Sequence, residues 1–121
     1  MDYISRIARR STVLPQVEFT IARLSLGRRI ELGQRVRELS GRAEFLAAGK
    51  STFEQIEAGL MQRQIERIYL EWGLLSVQGL TIDGEDATPR SLIDRGPEDL
   101  TSEILTTIRA ELQLSEEERK N

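Results

Sequence analysis

Residues 51–73, STFEQIEAGLMQRQIERIYLEWG, carry the strongest helix signal in the chain. Ser51 and Glu54 have the spacing of a capping box, in which both side chains satisfy backbone N–H groups that a first helical turn leaves free. Apolar residues then recur at helical steps, which predicts one broad buried face. Gly73 predicts a left-handed stop at the end of the helix. The apolar face consists of Phe53, Ile56, Leu60, Met61, Ile65, Ile68 and Trp72.

A second helix is predicted immediately before this one. Ser25 is its candidate cap, and an apolar stripe at heptad-like steps follows, with Leu26 and Ile30 leading into it. Residues 48–50 form only a short connection, so the two helices should pack as an antiparallel hairpin. The stripe that faces the partner helix consists of Leu32, Val36, Leu39, Ala43 and Leu46.

Two short strands are predicted around the hairpin. Apolar residues alternate with polar or small ones over 17–22, which is the period of a half-buried strand. Residues 74–86 predict a second strand, in which Gly79 breaks the pattern and Asp83-Gly84 makes a tight turn. Because two strands alone are marginal, the pair must lean on the helices or gain a strand from a partner.

The C-terminal part predicts two further helices. The first is a short helix that begins at Thr88-Pro89 and ends at Gly96. The second helix begins at Pro97 and Glu98. Its buried stripe consists of Leu100, Ile104, Leu105, Ile108 and Leu112.

The predicted fold class is mainly α (α+β): an antiparallel helical hairpin plus C-terminal helices with a small two-stranded β element. We expect residues 1–121 to form a single domain, because 121 residues suffice for one core. Residues 1–16 mix arginines with a few apolar residues, and we expect both 1–16 and 115–121 to be flexible ends.

Composition removes most enzyme chemistry. The chain has no Cys and no His, which excludes disulfides, thiol nucleophiles, imidazole bases and Cys-based zinc sites. We therefore predict a protein that is not an enzyme and has no cofactor. No apolar run is long enough to span a membrane and no secretory signal opens the chain, so we expect a cytoplasmic protein.

Charge is segregated along the chain although the net charge is only −3. Residues 1–50 carry ten Lys/Arg and five Asp/Glu, whereas residues 51–121 carry seven and fifteen. Such asymmetry could steer a partner or a head-to-tail self-contact. The favoured explanation is that opposite charges face each other within one fold or are solvated.

Two motifs imitate ligand sites. Residues 48–52, AGKST, contain the end of a phosphate-binding loop, but the first glycine of that motif is replaced by Glu44 and a helix precedes it instead of a strand. Asp83, Glu85 and Asp86 offer oxygens to a hard cation without the spacing of an EF-hand. A helix cap and a tight turn account for the two motifs.

Arginines and two aromatic residues supply the candidate protein-binding surface. The arginines decorate the faces of the first hairpin helix that the apolar stripe leaves free, although solvated arginines with buried stems explain them too. Nucleic-acid binding is disfavoured for the arginine-rich residues 23–42, because they include no aromatic residue for base stacking. Tyr69 and Trp72 could anchor a partner, but Trp72 also closes the apolar stripe, which favours a role at the end of the core. The candidate residues are Arg28, Arg35, Arg42, Tyr69 and Trp72.

Several C-terminal motifs carry a family resemblance. They are YLEWG at 69–73, GLTIDG at 79–84, Ala87-Thr88-Pro89, LI at 92–93, GPE at 96–98 and LSEEERKN at 114–121. With these motifs the chain resembles small tail-region proteins of long-tailed bacteriophages and prophages, and among them the tail assembly chaperones. The resemblance covers about residues 17–121. It implies a non-enzymatic helical protein in the host cytoplasm that coats the tape measure protein, recruits tail-tube subunits and is not retained in the virion.

Two alternatives stay open beside a chaperone. A virion structural part, such as a head-tail connector or a tail completion protein, would be found in finished particles. A small helical regulatory or nucleic-acid-binding adaptor would bind DNA in a salt-sensitive way. Self-association is compatible with each of the three hypotheses.

Overall fold

A computed structural model describes the backbone of residues 1–120 and the side chains of residues 1–113. The described chain is mainly helical with a small antiparallel sheet, which confirms the predicted fold class. The predicted flexible end at 115–121 lies outside the residues whose side chains are described. The elements are β1 (Arg6–Arg10), β2 (Glu18–Ala22), α1 (Leu26–Ala47), α2 (Thr52–Gly73), β3 (Leu74–Gln78), β4 (Thr81–Ile82), β5 (Glu85–Asp86), α3 (Pro89–Arg95) and α4 (Glu98–Lys120).

The chain divides into two compact units. Met1–Leu24 and Leu70–Asn121 form the sheet unit, and Ser25–Tyr69 form the hairpin unit. No linker composition marks this division, because the boundary after Tyr69 falls inside α2.

The sheet unit contains an antiparallel sheet in the order β1-β2-β3. The predicted strand over 17–22 and its pairing with the strand after residue 74 are confirmed. Val17, Phe19 and Ile21 are buried, as their alternation predicted. These side chains form the core of the unit together with the α3 and α4 residues Leu92, Leu100, Ile104 and Ile108.

Strand β1 corrects the prediction that residues 1–16 form a flexible end. Arg6 to Arg10 pair with Ala22 to Glu18, so the third strand comes from the chain itself and not from a partner. Only Ile7 of this strand is buried, and the other four side chains are exposed. The strand therefore forms through backbone pairing with β2, and its own apolar pattern contributes little.

The predicted turn between β4 and β5 and the predicted ends of α3 are confirmed. Asp83 has a φ of 54° and Gly84 a φ of 85°, the geometry of a two-residue turn between β4 and β5. Thr88 and Ser91 form a capping box at the start of α3, Pro89 takes the first helical position, and Gly96 ends the helix.

Gly73 corrects the predicted left-handed stop. It is the last residue of α2, and its φ is not among the positive values, which belong to Asp83, Gly79 and Gly84. The reason for a glycine is space: a Cβ atom here would lie 2.8 Å from Cδ1 of the buried Ile108. Helix α2 thus passes directly into β3 against α4.

Glu103 of α4 holds the connection between β1 and β2. Its carboxylate accepts hydrogen bonds from Ser11 Oγ at 2.5 Å, from Thr12 N at 2.7 Å and from Thr12 Oγ1 at 2.5 Å. Ser11 Oγ also accepts from Leu14 N at 2.9 Å, so one buried hydroxyl joins the loop to itself and to the helix. This contact links elements 91 and 92 residues apart in sequence.

The pKa of Glu103 gives a prediction about acid stability. Partial burial acts to raise this pKa, but the hydrogen bonds from Ser11 and Thr12 outweigh burial and hold it below the ordinary value of 4.5. The carboxylate therefore stabilises the fold above pH 4.5, and this contribution is lost as the pH falls through the folded-state pKa. Glu103→Gln should lower the free energy of unfolding at pH 7 by about 1–3 kcal/mol.

The variant should also lose less stability than the wild type between pH 7 and acid pH, since it lacks the titrating group. Urea unfolding followed by the fluorescence of Trp72, the single tryptophan and part of the sheet unit, measures both effects. Equal acid sensitivity in the two proteins would contradict this role of Glu103.

Two glycines with positive φ form a matched pair for a second prediction. A Cβ atom on Gly79, whose φ is +83°, would lie 2.1 Å from the Gln16 carbonyl oxygen, whereas one on Gly84 would meet open space. Gly84→Ala should cost about 1–2 kcal/mol from backbone conformation alone. Gly79→Ala adds a clash and should cost about 2–5 kcal/mol. Equal urea midpoints for the two variants would contradict the close approach at Gly79.

Candidate protein-interaction surface

The hairpin unit begins and turns at the predicted caps. Ser25 Oγ accepts from Arg28 N at 3.2 Å at the start of α1. At the start of α2, Ser51 Oγ accepts from Glu54 N at 3.1 Å and donates to Glu54 Oε1 at 2.8 Å. The Glu54 carboxylate thus bonds the hydroxyl of the capping residue and fixes the connection between the two helices.

An apolar seam joins the two antiparallel helices. Ala43 of α1 packs with Met61 and Ile65 of α2, and all three are buried. Val36, Leu39, Leu46 and Tyr69 pack around them, partly buried. We call the residues at this seam the inner stripes: Leu32, Val36, Leu39, Ala43 and Leu46 on α1, and Ala58, Met61, Ile65 and Ile68 on α2.

The N-terminal half of α2 has a second apolar face, which corrects the single broad face that was predicted. Phe53 is 71% exposed, Ile56 57% and Leu60 55%. Helical geometry places these three residues, the outer stripe of α2, about 140° around the axis from its inner stripe. One neighbouring helix covers one face, so the outer stripe stays in contact with solvent.

Helix α1 repeats this arrangement. Leu26 is 73% exposed, Ile30 53% and Phe45 77%, although Leu26 and Ile30 were predicted to lead into the buried stripe. Gly33 and Gly41 lie on the same face, and a Cβ atom on either would meet nothing within 4 Å. We call these five residues the outer stripe of α1, and the exposed Arg37 lies between its two glycines on the same face. Beside Phe45, a depression of about 330 Å³ is lined by Gly41, Arg42, Phe45 and Leu46.

Four of the predicted binding residues lie in the hairpin unit, and the fifth, Trp72, lies in the sheet unit. Arg28, Arg35 and Arg42 follow one another at steps of seven and so lie on one line along α1. Arg28 is partly exposed and the other two are exposed. Tyr69 is half-buried beside the inner stripes. Trp72 is only 7% exposed and belongs to the sheet unit, which removes it from the candidate surface and supports its alternative role as a core residue.

Sequence reasoning missed the outer stripes as a surface, although α2 carried a signal for them. Its apolar residues fit two heptad registers, of which one contains Phe53, Ile56 and Leu60 and the other Met61, Ile65 and Ile68. The adjacent pair Leu60-Met61 is where the two registers meet. Merging them produced one face that is too wide for a single neighbouring helix.

The structure does not support a phosphate site at residues 48–52 or a cation site around Asp83. Residues 48–51 connect two helices, and no strand precedes them as a phosphate-binding loop requires. Asp83 binds Arg95 Nη1 at 2.6 Å, and the described side chains include no group of three or more His, Cys, Asp or Glu that could hold a metal ion. Within the same residues, no helix combines the length and apolar content that a membrane crossing requires.

No family model, curated protein or solved structure matches the chain. The exposed apolar side chains of the outer stripes are the basis of the function proposed below.

A pair of isoleucines tests the distinction between inner and outer stripes. Ile65 is 6% exposed and Ile56 57% exposed on the same helix. Ile65→Ala should lower the free energy of unfolding by about 2–4 kcal/mol through a cavity at the seam. Ile56→Ala should change it by less than about 1 kcal/mol. Urea titration followed by far-ultraviolet circular dichroism, at submicromolar protein, compares them, and equal losses would contradict the assignment of the stripes.

Proposed function

We propose that this protein is a non-enzymatic assembly chaperone for the tail of a long-tailed bacteriophage and that it binds the tape measure protein in the host cytoplasm. One observation carries the proposal: six large apolar side chains are at least 53% exposed on a capped, seam-packed hairpin. Rigid helices that present apolar side chains at heptad steps can bind a long amphipathic helix. The sequence resemblance described above selects the tape measure protein as that helix and tail-tube subunits as further partners.

The physical demands on such a chaperone agree with this surface. A client that is long, helical and apolar along one face must be kept soluble by many copies, each contributing a contact of moderate strength. An exposed apolar patch of several side chains is costly on a monomer, and its usual role is contact with another molecule.

Two other functions account for parts of the same surface. A virion structural part would bury the outer stripes permanently, since obligate interfaces are the more apolar ones. A nucleic-acid adaptor would use the line of Arg28, Arg35 and Arg42 on α1.

Co-expression with the tape measure protein from the same phage or prophage tests the proposal. We expect a soluble complex with several copies of this chain per tape measure protein, whose mass is measured by light scattering after size exclusion. The double variant Ile56→Glu/Leu60→Glu should abolish it, because the charges occupy the apolar stripe. Gln62→Glu, at an exposed residue of the same helix, is the control and should leave it intact.

Failure of the tape measure protein to become soluble with the wild-type chain would overturn the chaperone proposal. Recovery of the chain from purified particles in fixed copy number would support the virion part instead. Salt-sensitive DNA binding that is lost in Arg28→Gln/Arg35→Gln/Arg42→Gln would support the adaptor.

A further inference from the structure

Strand β1 is an outer strand of the three-stranded sheet, and only its inner edge pairs with another strand that the structure describes. The hydrogen bonds at its two ends identify the residues that use this inner edge. Arg23 N donates to Ser5 O, and Ser11 N donates to Val17 O, both at 2.9 Å. Since hydrogen-bonded and non-hydrogen-bonded pairs alternate along an antiparallel ladder, the odd-numbered residues of β1 bond β2.

The even-numbered residues of β1 therefore direct their backbone groups to the open edge. They are Arg6, Ala8 and Arg10, whose N–H and C=O groups point away from β2. Arg9 Nη1 donates to Ala8 O at 3.2 Å, and Arg10 Nη1 donates to Pro15 O at 2.9 Å. An incoming strand must displace the first contact, whereas the second leaves the backbone of the edge accessible. Such addition of a strand to a sheet edge is an established mode of peptide recognition.

The side chains along this edge are positively charged. Arg6, Arg9 and Arg10 are exposed, and β1 contains no acidic residue. Two carboxylates lie near the Arg10 end: Glu18 is opposite Arg10 on β2, and Glu103 is hydrogen-bonded to the loop that follows β1. The residues opposite Arg6 and Arg9 on β2 are apolar. The edge therefore keeps a positive charge, which is strongest away from Glu18 and Glu103.

Charge selects the occupant of this edge. If β1 of a second copy paired antiparallel about Ala8, Arg6 of each strand would lie opposite Arg10 of the other, and like charges directly opposite are destabilising. An acidic strand would place carboxylates opposite the same arginines, which is stabilising. A nucleic acid would satisfy the arginines but not the alternating N–H and C=O groups of the backbone.

From these features we infer that the open edge of β1 binds an extended acidic segment of another protein as a further antiparallel strand of the sheet. The inference goes beyond the proposed chaperone function and does not rest on it. Strand β1 belongs to the sheet unit, whereas the outer stripes belong to the hairpin unit.

The register defines the sequence that this edge should recognise. Acidic residues should lie opposite Arg6, Arg9 and Arg10. An apolar β-branched residue should lie opposite the buried Ile7, and any strand-forming residue should lie opposite Ala8. From its N-terminus, the segment therefore reads acidic, acidic, strand-forming, apolar, acidic.

Fluorescence anisotropy with the full-length wild type and a labelled peptide, Glu-Glu-Thr-Val-Glu with neutral flanks, tests the inference. We expect saturable binding at low salt, weakened about tenfold when glutamines replace the glutamates. N-methylation of the threonine should abolish binding, because its N–H should donate to Ala8 O. N-methylation of the valine should leave binding unchanged, because its N–H should point away from β1. This matched pair separates strand pairing from charge attraction and uses the unmodified protein.

Ala8→Pro blocks the edge from the side of the protein. Proline removes the outward N–H of residue 8 and leaves the bonds of Ile7 and Arg9 to β2 in place, as it does on edge strands. Binding of the peptide should fall at least about tenfold. Ala8→Val keeps the N–H and should bind as the wild type does. Urea unfolding followed by Trp72 fluorescence should show both variants to be folded.

Three results would each overturn the inference: no binding of the acidic peptide to the wild type, equal binding of the two N-methylated peptides, or undiminished binding to folded Ala8→Pro. Tighter binding of a single-stranded oligonucleotide in direct competition would also overturn it, since the arginines would then bind without strand pairing. Ala8→Pro should still form the complex with the tape measure protein, because the outer stripes are unchanged. The two proposals therefore fail separately.

Discussion

A helix can bury only one face against one neighbouring helix, and this constraint governs the hairpin unit. Both helices carry apolar side chains in two registers, of which the seam around Ala43, Met61 and Ile65 covers one. The other register, with Phe45 and Phe53 as its most exposed aromatic residues, stays in water. Exposed apolar patches of several side chains commonly mark sites of contact with another molecule. The proposed function uses this register as its contact surface.

The sheet unit is subject to a different constraint, because its sheet is small and is marginal without further contacts. Two strands would be marginal, and the third strand, β1, completes the sheet with backbone hydrogen bonds and one buried side chain, Ile7. Its arginines keep the free edge charged, which disfavours strand pairing with a second copy of this chain. Glu103 then holds the β1–β2 connection against α4 through charge-assisted hydrogen bonds, and the close approach of Gly73 to Ile108 lets α2 pass directly into β3. The unit is held by contacts between distant parts of the chain.

Both units expose apolar side chains. In the sheet unit Leu92, Leu100, Ile104 and Ile108 are fully buried, whereas Ile93 and Leu112 are half-buried and Tyr3, Ile4, Val13 and Leu75 are at least 40% exposed. In the hairpin unit, some apolar side chains are buried at the seam between the helices and others are exposed to solvent. Under the proposed function, the client helix contacts the apolar residues that the hairpin exposes.

The sequence by itself determined the features that depend on neighbouring residues: the caps at Ser25, Ser51 and Thr88, the Asp83-Gly84 turn, and the two helices of the hairpin. These are predictable because the donor, the acceptor or the backbone conformation lies within a few residues. Tertiary structure alone decided which apolar register is covered, because a helical period names the faces of a helix but not the face that finds a partner. It also decided that residues 6–10 form a strand. Each depends on residues far away in the chain, and no local pattern encodes them.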